Sequence, residues 1–96
     1  MAKGYWIVCY REVKDALKVA AYGKMAVPAI EAGGGKILAR GTAVKAFEAG
    51  QLERTVVIEF PSVEQAIAVY NTPEYQAAVK VLADGAVRDL RIVPGL

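Results

Sequence analysis

Four segments rich in β-branched and aromatic residues limit the folds open to this chain more than any other feature. They are residues 4–13, 36–41, 54–60 and 87–94. Residues of these types favour β-strands. The intervals after the first and third segments carry helix signals instead, so the chain is predicted to run strand, helix, strand, strand, helix, strand. Residues 42–48 can extend the second strand past Gly41.

The first helix is predicted to run from Asp15, which can cap its N-terminus, to about Ala32. Pro28 lies inside this interval and is expected to kink the helix or end it early, because proline lacks the backbone N–H that a helix interior requires. Three glycines at 33–35 and the lysine after them resemble part of a phosphate-binding loop, but such a loop follows a strand and opens a helix. These glycines close a helix and lead into a strand, so they are interpreted as a turn.

The second helical region is predicted to be broken in two. Ser62 and Gln65 have the spacing of a capping box and begin the first part. Thr72 followed by Pro73 begins the second part, and Asp84-Gly85 ends it. The residues expected to face the core are Val63, Ala66, Ile67 and Tyr70 in the first part, and Tyr75, Ala78, Val79 and Leu82 in the second.

This order of elements is typical of an α+β fold of the ferredoxin-like type. In such a βαββαβ sandwich, a four-stranded antiparallel sheet carries its helices on one face only. A chain of 96 residues is long enough for one core and short for two, so residues 1–96 are predicted to form a single domain. The chain itself then leaves the other face of the sheet uncovered.

Alternation along each strand divides its side chains between the two faces of the sheet. The face expected to pack against the helices holds Tyr5, Ile7, Cys9, Ile37, Ala39, Val56, Ile58, Phe60, Leu90 and Ile92. The uncovered face is expected to hold Trp6, Val8, Tyr10, Lys36, Leu38, Arg40, Thr55, Val57, Glu59, Asp89, Arg91 and Val93. So many apolar side chains on an uncovered face indicate an interface. The composition, with 55% hydrophobic residues and a mean hydropathy of +0.29, agrees, and a homodimer is predicted.

Glu59 is the residue that most needs a partner, because ionised carboxylates are rarely buried alone. On the predicted alternation it shares the uncovered face with Arg40, and the two are predicted to pair there. The pair has two interpretations, which the sequence leaves open. It is either a structural ion pair or a catalytic site, in which Glu59 is a general acid or base and Arg40 holds a carboxylate or enolate of a ligand.

Three tyrosines are candidate ligand-binding residues. Tyr22, Tyr70 and Tyr75 lie on or near the predicted helices, where their hydroxyl groups can line a cleft between helices and sheet. Tyr70 and Tyr75 also fall on predicted core positions, and aromatic residues of helices serve mostly in packing. The core and the ligand-binding interpretations both stay open.

The composition excludes several classes of site. The chain has no histidine and one cysteine, Cys9, so a zinc site, the usual haem ligand and a Ser-His-Asp triad are all missing. No metal and no cofactor are predicted. Cys9 is expected to be buried as a small hydrophobe. The net charge of +2 is too small to indicate a nucleic-acid or membrane partner.

The localisation predicted from the sequence is cytoplasmic. The longest early apolar run, residues 5–10, falls far short of a membrane span. A signal peptide would need a longer apolar region and a cleavage site, and neither pattern is found. A single cysteine cannot form an internal disulfide, which fits a reducing compartment.

Several stretches of the sequence resemble one protein family. They are GYWI at 4–7, GG at 33–34 followed by ILARG at 37–41, VVIEFPS at 56–62 and YNTPEY at 70–75. Together they are similar to the bacterial family domain of unknown function 1330, which belongs to the dimeric α/β-barrel superfamily. The resemblance implies a homodimer whose two sheets face each other. It implies no particular reaction, because the superfamily includes cofactor-free monooxygenases, haem-degrading enzymes and small lactone isomerases.

Three functions are compatible with these observations. The first is an enzyme that performs cofactor-free acid/base or monooxygenase-like chemistry on a small aromatic or carbonyl-bearing molecule. The second is a dimer that binds such a molecule without turnover, and the third is a purely structural dimer whose charges set its register. A small-molecule cleft is the prediction, and whether it is catalytic is left open.

Overall fold

The computed structural model describes residues 2–96 and has the predicted order of elements. The strands are β1 (Gly4–Val13), β2 (Lys36–Thr42), β3 (Arg54–Phe60) and β4 (Ala86–Pro94), and the helices are α1 (Ala16–Ala32), α2 (Val63–Tyr70) and α3 (Pro73–Leu82). The strands form one antiparallel sheet in the order β2-β3-β1-β4. The α+β, ferredoxin-like fold is confirmed. Within residues 2–96 no helix has the length and apolar character needed to cross a membrane.

The helices begin where their capping residues predict. The Asp15 carboxylate accepts hydrogen bonds from the backbone N–H groups of the first turn of α1, and Ser62 and Thr72 cap α2 and α3 in the same manner. The prediction for Pro28 is wrong in one respect, because α1 continues past it to Ala32. Buried residues on both sides of the proline hold this turn against the core, and helices in proteins depend mainly on such packing.

The central strand β1 faces the opposite way from the prediction. The side chains packed against the helices are Trp6, Val8 and Tyr10, and those on the uncovered face are Tyr5, Ile7 and Cys9. Trp6 lies opposite Ile58 of β3 and Ile92 of β4, and residues directly opposite each other share a face. Alternation divides the side chains of one strand between two faces. The register of pairing between strands decides which side chains of the next strand lie on the same face.

Gly4 helps to fix this choice of face. It lies on the same side of β1 as Trp6, against the start of α2. A Cβ atom at Gly4 would come within 2.6 Å of the Ser62 carbonyl oxygen, so the chain can approach α2 this closely only with glycine. As a consequence Cys9 is not buried as predicted but exposed on the other side of the sheet.

A bulge in β2 moves Arg40 to the helix-facing side of the sheet. The register between β2 and β3 shifts at Leu38, which inserts one extra residue into β2. Beyond the bulge Arg40 lies opposite Val56, a buried residue that faces the helices. The prediction that Arg40 shares the uncovered face with Glu59 is wrong for this reason.

The chain between β2 and β3 is a loop, and the predicted extension of β2 through residues 42–48 is not found. β2 ends at Thr42, and residues 43–53 form neither helix nor strand. The Ala43 N–H donates a hydrogen bond to the Glu53 carbonyl and closes the base of this loop. Two large apolar side chains in it, Val44 and Phe47, are 97% and 75% exposed.

The core lies between the sheet and all three helices. The predicted core positions of α3 are confirmed for Tyr75, Ala78 and Leu82. In α2 the prediction is wrong at Ile67, which is 48% exposed, while Val69 is 1% exposed. Val69 packs against Gly33 at the end of α1, where any Cβ atom would collide with its side chain. The contact with α1, which periodicity alone does not reveal, therefore selects the buried face of α2.

Two substitutions in α2 test this assignment. We expect Val69→Ala to lower the free energy of unfolding by roughly 2 kcal/mol, because a fully buried valine loses its contacts. Ile67→Ala, two residues away, should cost about 1 kcal/mol or less, since half of that side chain is in water. Urea unfolding of both variants measures the difference, and a larger loss for Ile67→Ala would reverse the assignment.

Candidate functional site

A cleft lies between α1 and the helix-facing side of the sheet. It encloses about 50 Å³, and its walls are mainly apolar. They include Val19, Ala26 and Ile30 from α1, and Val8, Val56 and Ile58 from the sheet. The polar side chains that line it are Tyr10, Tyr22, Arg40, Arg54 and Arg88. A mostly apolar pocket with a few convergent polar groups is the usual form of a small-molecule site.

The floor of the cleft changes from apolar to basic along the strands. Side chains on the helix-facing side form rows across the sheet. The first row is Ile37, Ile58, Trp6 and Ile92; the second is Arg40, Val56, Val8 and Leu90; the third is Arg54, Tyr10 and Arg88. The first and third rows are four residues apart along each strand, a distance of about 13 Å. The cleft is therefore apolar at one end and positively charged at the other.

Tyr10 lies between the two arginines of the third row. The guanidinium carbons of Arg54 and Arg88 are 5.9 and 5.8 Å from the centroid of its ring, within the range of cation–π attraction. No ion pair within residues 2–96 joins Arg40, Arg54 or Arg88 to a carboxylate. The three positive charges at this end of the cleft therefore have no counter-ion among the described residues.

Arg54 has a further unsatisfied group. Its Nε is buried and has no hydrogen-bond partner within residues 2–96. An unpartnered buried donor costs about 1–3 kcal/mol, and most such groups in proteins are paired. The position of Arg54 therefore carries a cost in stability, which the contact of its guanidinium with Tyr10 acts against.

Two tyrosine hydroxyls and Arg88 form a hydrogen-bonded group beside the cleft. The hydroxyl oxygens of Tyr22 and Tyr75 are 2.6 Å apart, and the Arg88 Nη1 donates to Tyr22 at 2.9 Å and to Tyr75 at 3.4 Å. One hydroxyl donates to the other, which leaves one proton free. Tyr75 is fully buried whereas Tyr22 lines the cleft, so donation by Tyr75 would free the Tyr22 proton for a ligand.

Burial keeps the phenol of Tyr22 neutral. It raises the pKa of Tyr22 well above the ordinary value, and the neighbouring Tyr75 acts in the same direction, whereas Arg88 opposes them. Tyr22 can therefore donate a hydrogen bond at every physiological pH. The residues that line the cleft include neither a carboxylate nor a histidine, so the cleft can stabilise negative charge but holds no ordinary general base.

Glu59 lies on the uncovered face, away from the cleft. Its carboxylate accepts hydrogen bonds from Lys3 Nζ at 3.1 Å and from the Tyr5 hydroxyl at 3.0 Å. Both hydrogen bonds lower the pKa of Glu59 below its ordinary value, and the bond from Lys3 has the larger effect. The predicted pair with Arg40 is not formed, because Arg40 lines the cleft on the opposite side of the sheet. A catalytic role for either residue stays a prediction.

The structure brings some of the predicted site residues together and separates others. Tyr22 and Arg40 line the cleft, and Tyr75 contacts it through its hydrogen bond to Tyr22. Tyr70 packs edge-on against Trp6, with 6.0 Å between the ring centroids. The Tyr70 side chain lines a shallow depression beside β4, at the far side of the core. Its predicted role in ligand binding has no support from this placement.

Sequence reasoning missed Arg54 and Arg88. Arg54 lies two residues before Val56 of β3, and Arg88 lies two residues before Leu90 of β4, so each is on the same face as that apolar residue. Extending each apolar set by one step would have placed both arginines on the helix-facing side. The signal was available, but a charged residue at the start of a strand is usually taken as the end of the buried part. Within residues 2–96 no group of acidic or cysteine side chains is arranged to hold a metal ion.

Comparison with known proteins identifies the family. The family described as "Domain of unknown function (DUF1330)" matches residues 3–96, nearly the whole chain. The chain belongs to this family. The predicted resemblance is thereby confirmed. Among curated proteins no match to this chain is found.

Solved structures share the fold. A protein of unknown function from Rhodopseudomonas palustris superposes with a TM-score of 0.76 at 23% identity, over 99% of this chain and 83% of that one. A dimeric ferredoxin-like protein of unknown function from Thermobifida fusca has a TM-score of 0.65 at 19% identity, over 97% and 91%. A Nitrosomonas europaea protein, described provisionally as an antibiotic biosynthesis monooxygenase, has a TM-score of 0.62 at 20% identity, over 98% of both chains. At these identities the likeness shows the fold alone.

The lowered pKa of Glu59 leads to a test of its role. A carboxylate whose pKa is lower in the folded chain adds stability above its unfolded pKa, near 4.3, and loses it as the pH falls through the folded value. We therefore expect Glu59→Gln to melt below the wild type near neutral pH and to approach it in acid.

Thermal melts of both proteins at about pH 7 and about pH 3 measure this difference. Glu31→Gln is the control, since Glu31 is an exposed residue at the end of α1 whose side chain makes no hydrogen bond within residues 2–96. A gap between wild type and Glu59→Gln that is the same at both pH values would contradict the assignment.

Proposed function

We propose that this protein is a homodimer in which each protomer binds a small, largely apolar molecule in the cleft between α1 and the sheet. The observation that carries the proposal is the cleft itself, an apolar channel that ends at a neutral phenol and at three arginines for which the described part of the chain supplies no counter-ion. The dimer follows from the other face of the same sheet. The two surfaces lie on opposite sides of the sheet, so assembly leaves the cleft within each protomer.

The uncovered face is suited to a second copy of the chain. Ile7 and Val57 lie opposite each other at its centre and are only partly covered. The acidic residues around them are already paired within the protomer, Glu59 with Lys3 and Asp89 with Arg11 and Arg91. Covering this face would therefore bury neither of these carboxylates without a partner. A buried charge that lacks a partner is the main energetic penalty of such an interface. The dimeric description of the Thermobifida fusca protein supports the same arrangement.

The exposed loop of residues 43–53 adds to this face. A groove between the loop and β1 is lined by Cys9, Phe47 and Thr55, and Phe47 is largely exposed. Monomeric proteins rarely leave such apolar surface in water. In a dimer whose sheets face each other, the loop would extend the interface beyond the strands and give the partner a recess to fill.

Turnover is a second candidate function. The observation that favours it is the Tyr22 hydroxyl, a neutral proton donor held at the cleft by Tyr75 and Arg88, together with the monooxygenase description of the Nitrosomonas europaea protein. The cleft lacks a general base, so a substrate would have to arrive already ionised or nearly so. Uptake of dissolved oxygen in the presence of phenolic compounds separates turnover from binding.

The dimer has a direct test. We expect the wild type at micromolar concentration to sediment with twice the mass of the chain. Ile7→Asp should be monomeric, because an unpaired charge buried at an interface costs several kcal/mol. Ile67→Asp, on the exposed side of α2, should remain dimeric. A folded wild-type monomer, or equal dimer populations for the two variants, would overturn the proposed interface.

Gly23 provides the test of the cleft. It lies in the interior of α1 and lines the cleft, and a Cβ atom there would meet nothing within 4 Å. Glycine in a helix costs up to about 1 kcal/mol relative to alanine, so Gly23→Ala should be more stable than the wild type. The longer side chain of Gly23→Leu should occupy the cleft without unfolding the protein.

Thermal melts with a panel of small aromatic and carbonyl compounds measure the effect on binding. We expect members of the panel to raise the melting temperature of the wild type and of Ala20→Leu, whose substitution lies on the exposed side of α1. The same compounds should not shift Gly23→Leu. If the panel leaves the wild type unshifted, or shifts all three proteins alike, the cleft is not the binding site.

A further inference from the structure

Resting on the proposed ligand cleft, we infer that its ligand carries an oxyanion, a carboxylate or an enolate, on an apolar body about the size of one ring. The third row of the cleft holds the charged end, where Arg54 and Arg88 flank Tyr10 and Tyr22 offers a proton. The apolar body lies along the first row and along Val56 and Val8 of the second. Nothing in the proposed function itself requires the ligand to be charged.

The donors at this end are arranged for an anion and are not used by the protein. The Nη1 of Arg88 donates hydrogen bonds to the hydroxyl groups of Tyr22 and Tyr75. Its Nε and Nη2 make no hydrogen bond within residues 2–96. The Nε of Arg54 is buried without a partner. A planar guanidinium with free neighbouring N–H groups binds a carboxylate through two parallel hydrogen bonds.

The two faces of the sheet treat arginine differently, and this difference points to a ligand. On the uncovered face Arg11 and Arg91 both pair with Asp89. On the helix-facing side Arg54 and Arg88 contact aromatic rings, and Arg88 also donates to two hydroxyl groups, but neither forms an ion pair within residues 2–96. Counter-ions are thus supplied where the arginines face water or a partner, and are missing where they face the cleft. An anion bound in the cleft would supply the missing counter-ion.

The size of the cleft limits the ligand. An enclosed volume of about 50 Å³ has room for a carboxylate group, whereas a benzene-sized cavity needs about 150 Å³. The body of the ligand therefore has to extend into the open part of the cleft beside Gly23, where a Cβ atom would meet nothing within 4 Å. A short ligand with one charged end fits this shape, and a large cofactor does not.

The experiment compares ring-matched anionic and neutral probes. Benzoate and phenylacetate, with benzamide and phenylacetamide as their uncharged counterparts, are titrated at about pH 7, where both acids are ionised. Ligand-observed NMR gives the affinities. We expect the acids to bind more tightly than the amides, and added salt to weaken only the acids. Arg54→Gln should weaken the acids roughly 10- to 100-fold and leave the amides unchanged.

The variants separate an anion site from a structural role. Arg54→Gln should melt close to the wild-type temperature, because Arg54 forms no ion pair within residues 2–96 whose loss would destabilise the fold. Arg88→Gln is the second variant, and Lys80→Gln, which removes an exposed charge from α3, is the control that should change nothing. If acids and amides bind with equal affinity and Arg54→Gln changes neither, the inference of an oxyanion is wrong while the proposal of a binding cleft is retained. Binding of neither kind of probe overturns the cleft and the oxyanion together.

Discussion

The indole of Trp6 lies at the centre of the core, and the arrangement of both faces of the sheet depends on it. Its ring contacts those of Phe60 and Tyr75, with centroids 5.1 and 5.0 Å apart, and its Nε1 donates a hydrogen bond of 2.9 Å to the Ala66 carbonyl. This bond joins the middle strand to α2 and satisfies the one polar atom of a large buried side chain. With Trp6 directed at the helices, Tyr10 must face the cleft and Ile7 must face away.

That orientation also divides the charges of the protein. Glu59 and Asp89 lie on the uncovered face, each with a basic partner from a segment distant in sequence. Arg54 and Arg88 lie on the other face, where the lining residues include no acid. A sheet that carries paired charges on one side and unpaired positive charges on the other can offer two different surfaces. In the proposed function, one receives a second copy of the chain and the other a small anion.

The sequence was sufficient for the fold and for half of the site, and the residues show why it stopped there. Capping residues and β-branched runs act locally, so the helix starts at Asp15, Ser62 and Thr72 were predicted correctly. Which face of β1 turns inward depends on pairing with β3, and the face of Arg40 depends on a bulge at Leu38. Neither leaves a local signal. The predicted Glu59–Arg40 pair is therefore wrong. Tyr22 and Tyr75 were expected near the cleft only from their positions on or near helices, and Tyr22 lines it while Tyr75 reaches it through their hydrogen bond.

Three features of the cleft are each unfavourable by themselves, and they occur in one place. Gly23 weakens the interior of α1 without making room for any neighbour. Among the described residues 2–96, the buried Nε of Arg54 has no hydrogen-bond partner and the positive charge of Arg88 has no counter-ion. Natural sequences are largely consistent in their local choices, and the positions that break the rules tend to be functional. Selection for stability alone would favour alanine at 23 and a neutral residue at 54, and the proposed ligand accounts for why the chain has neither.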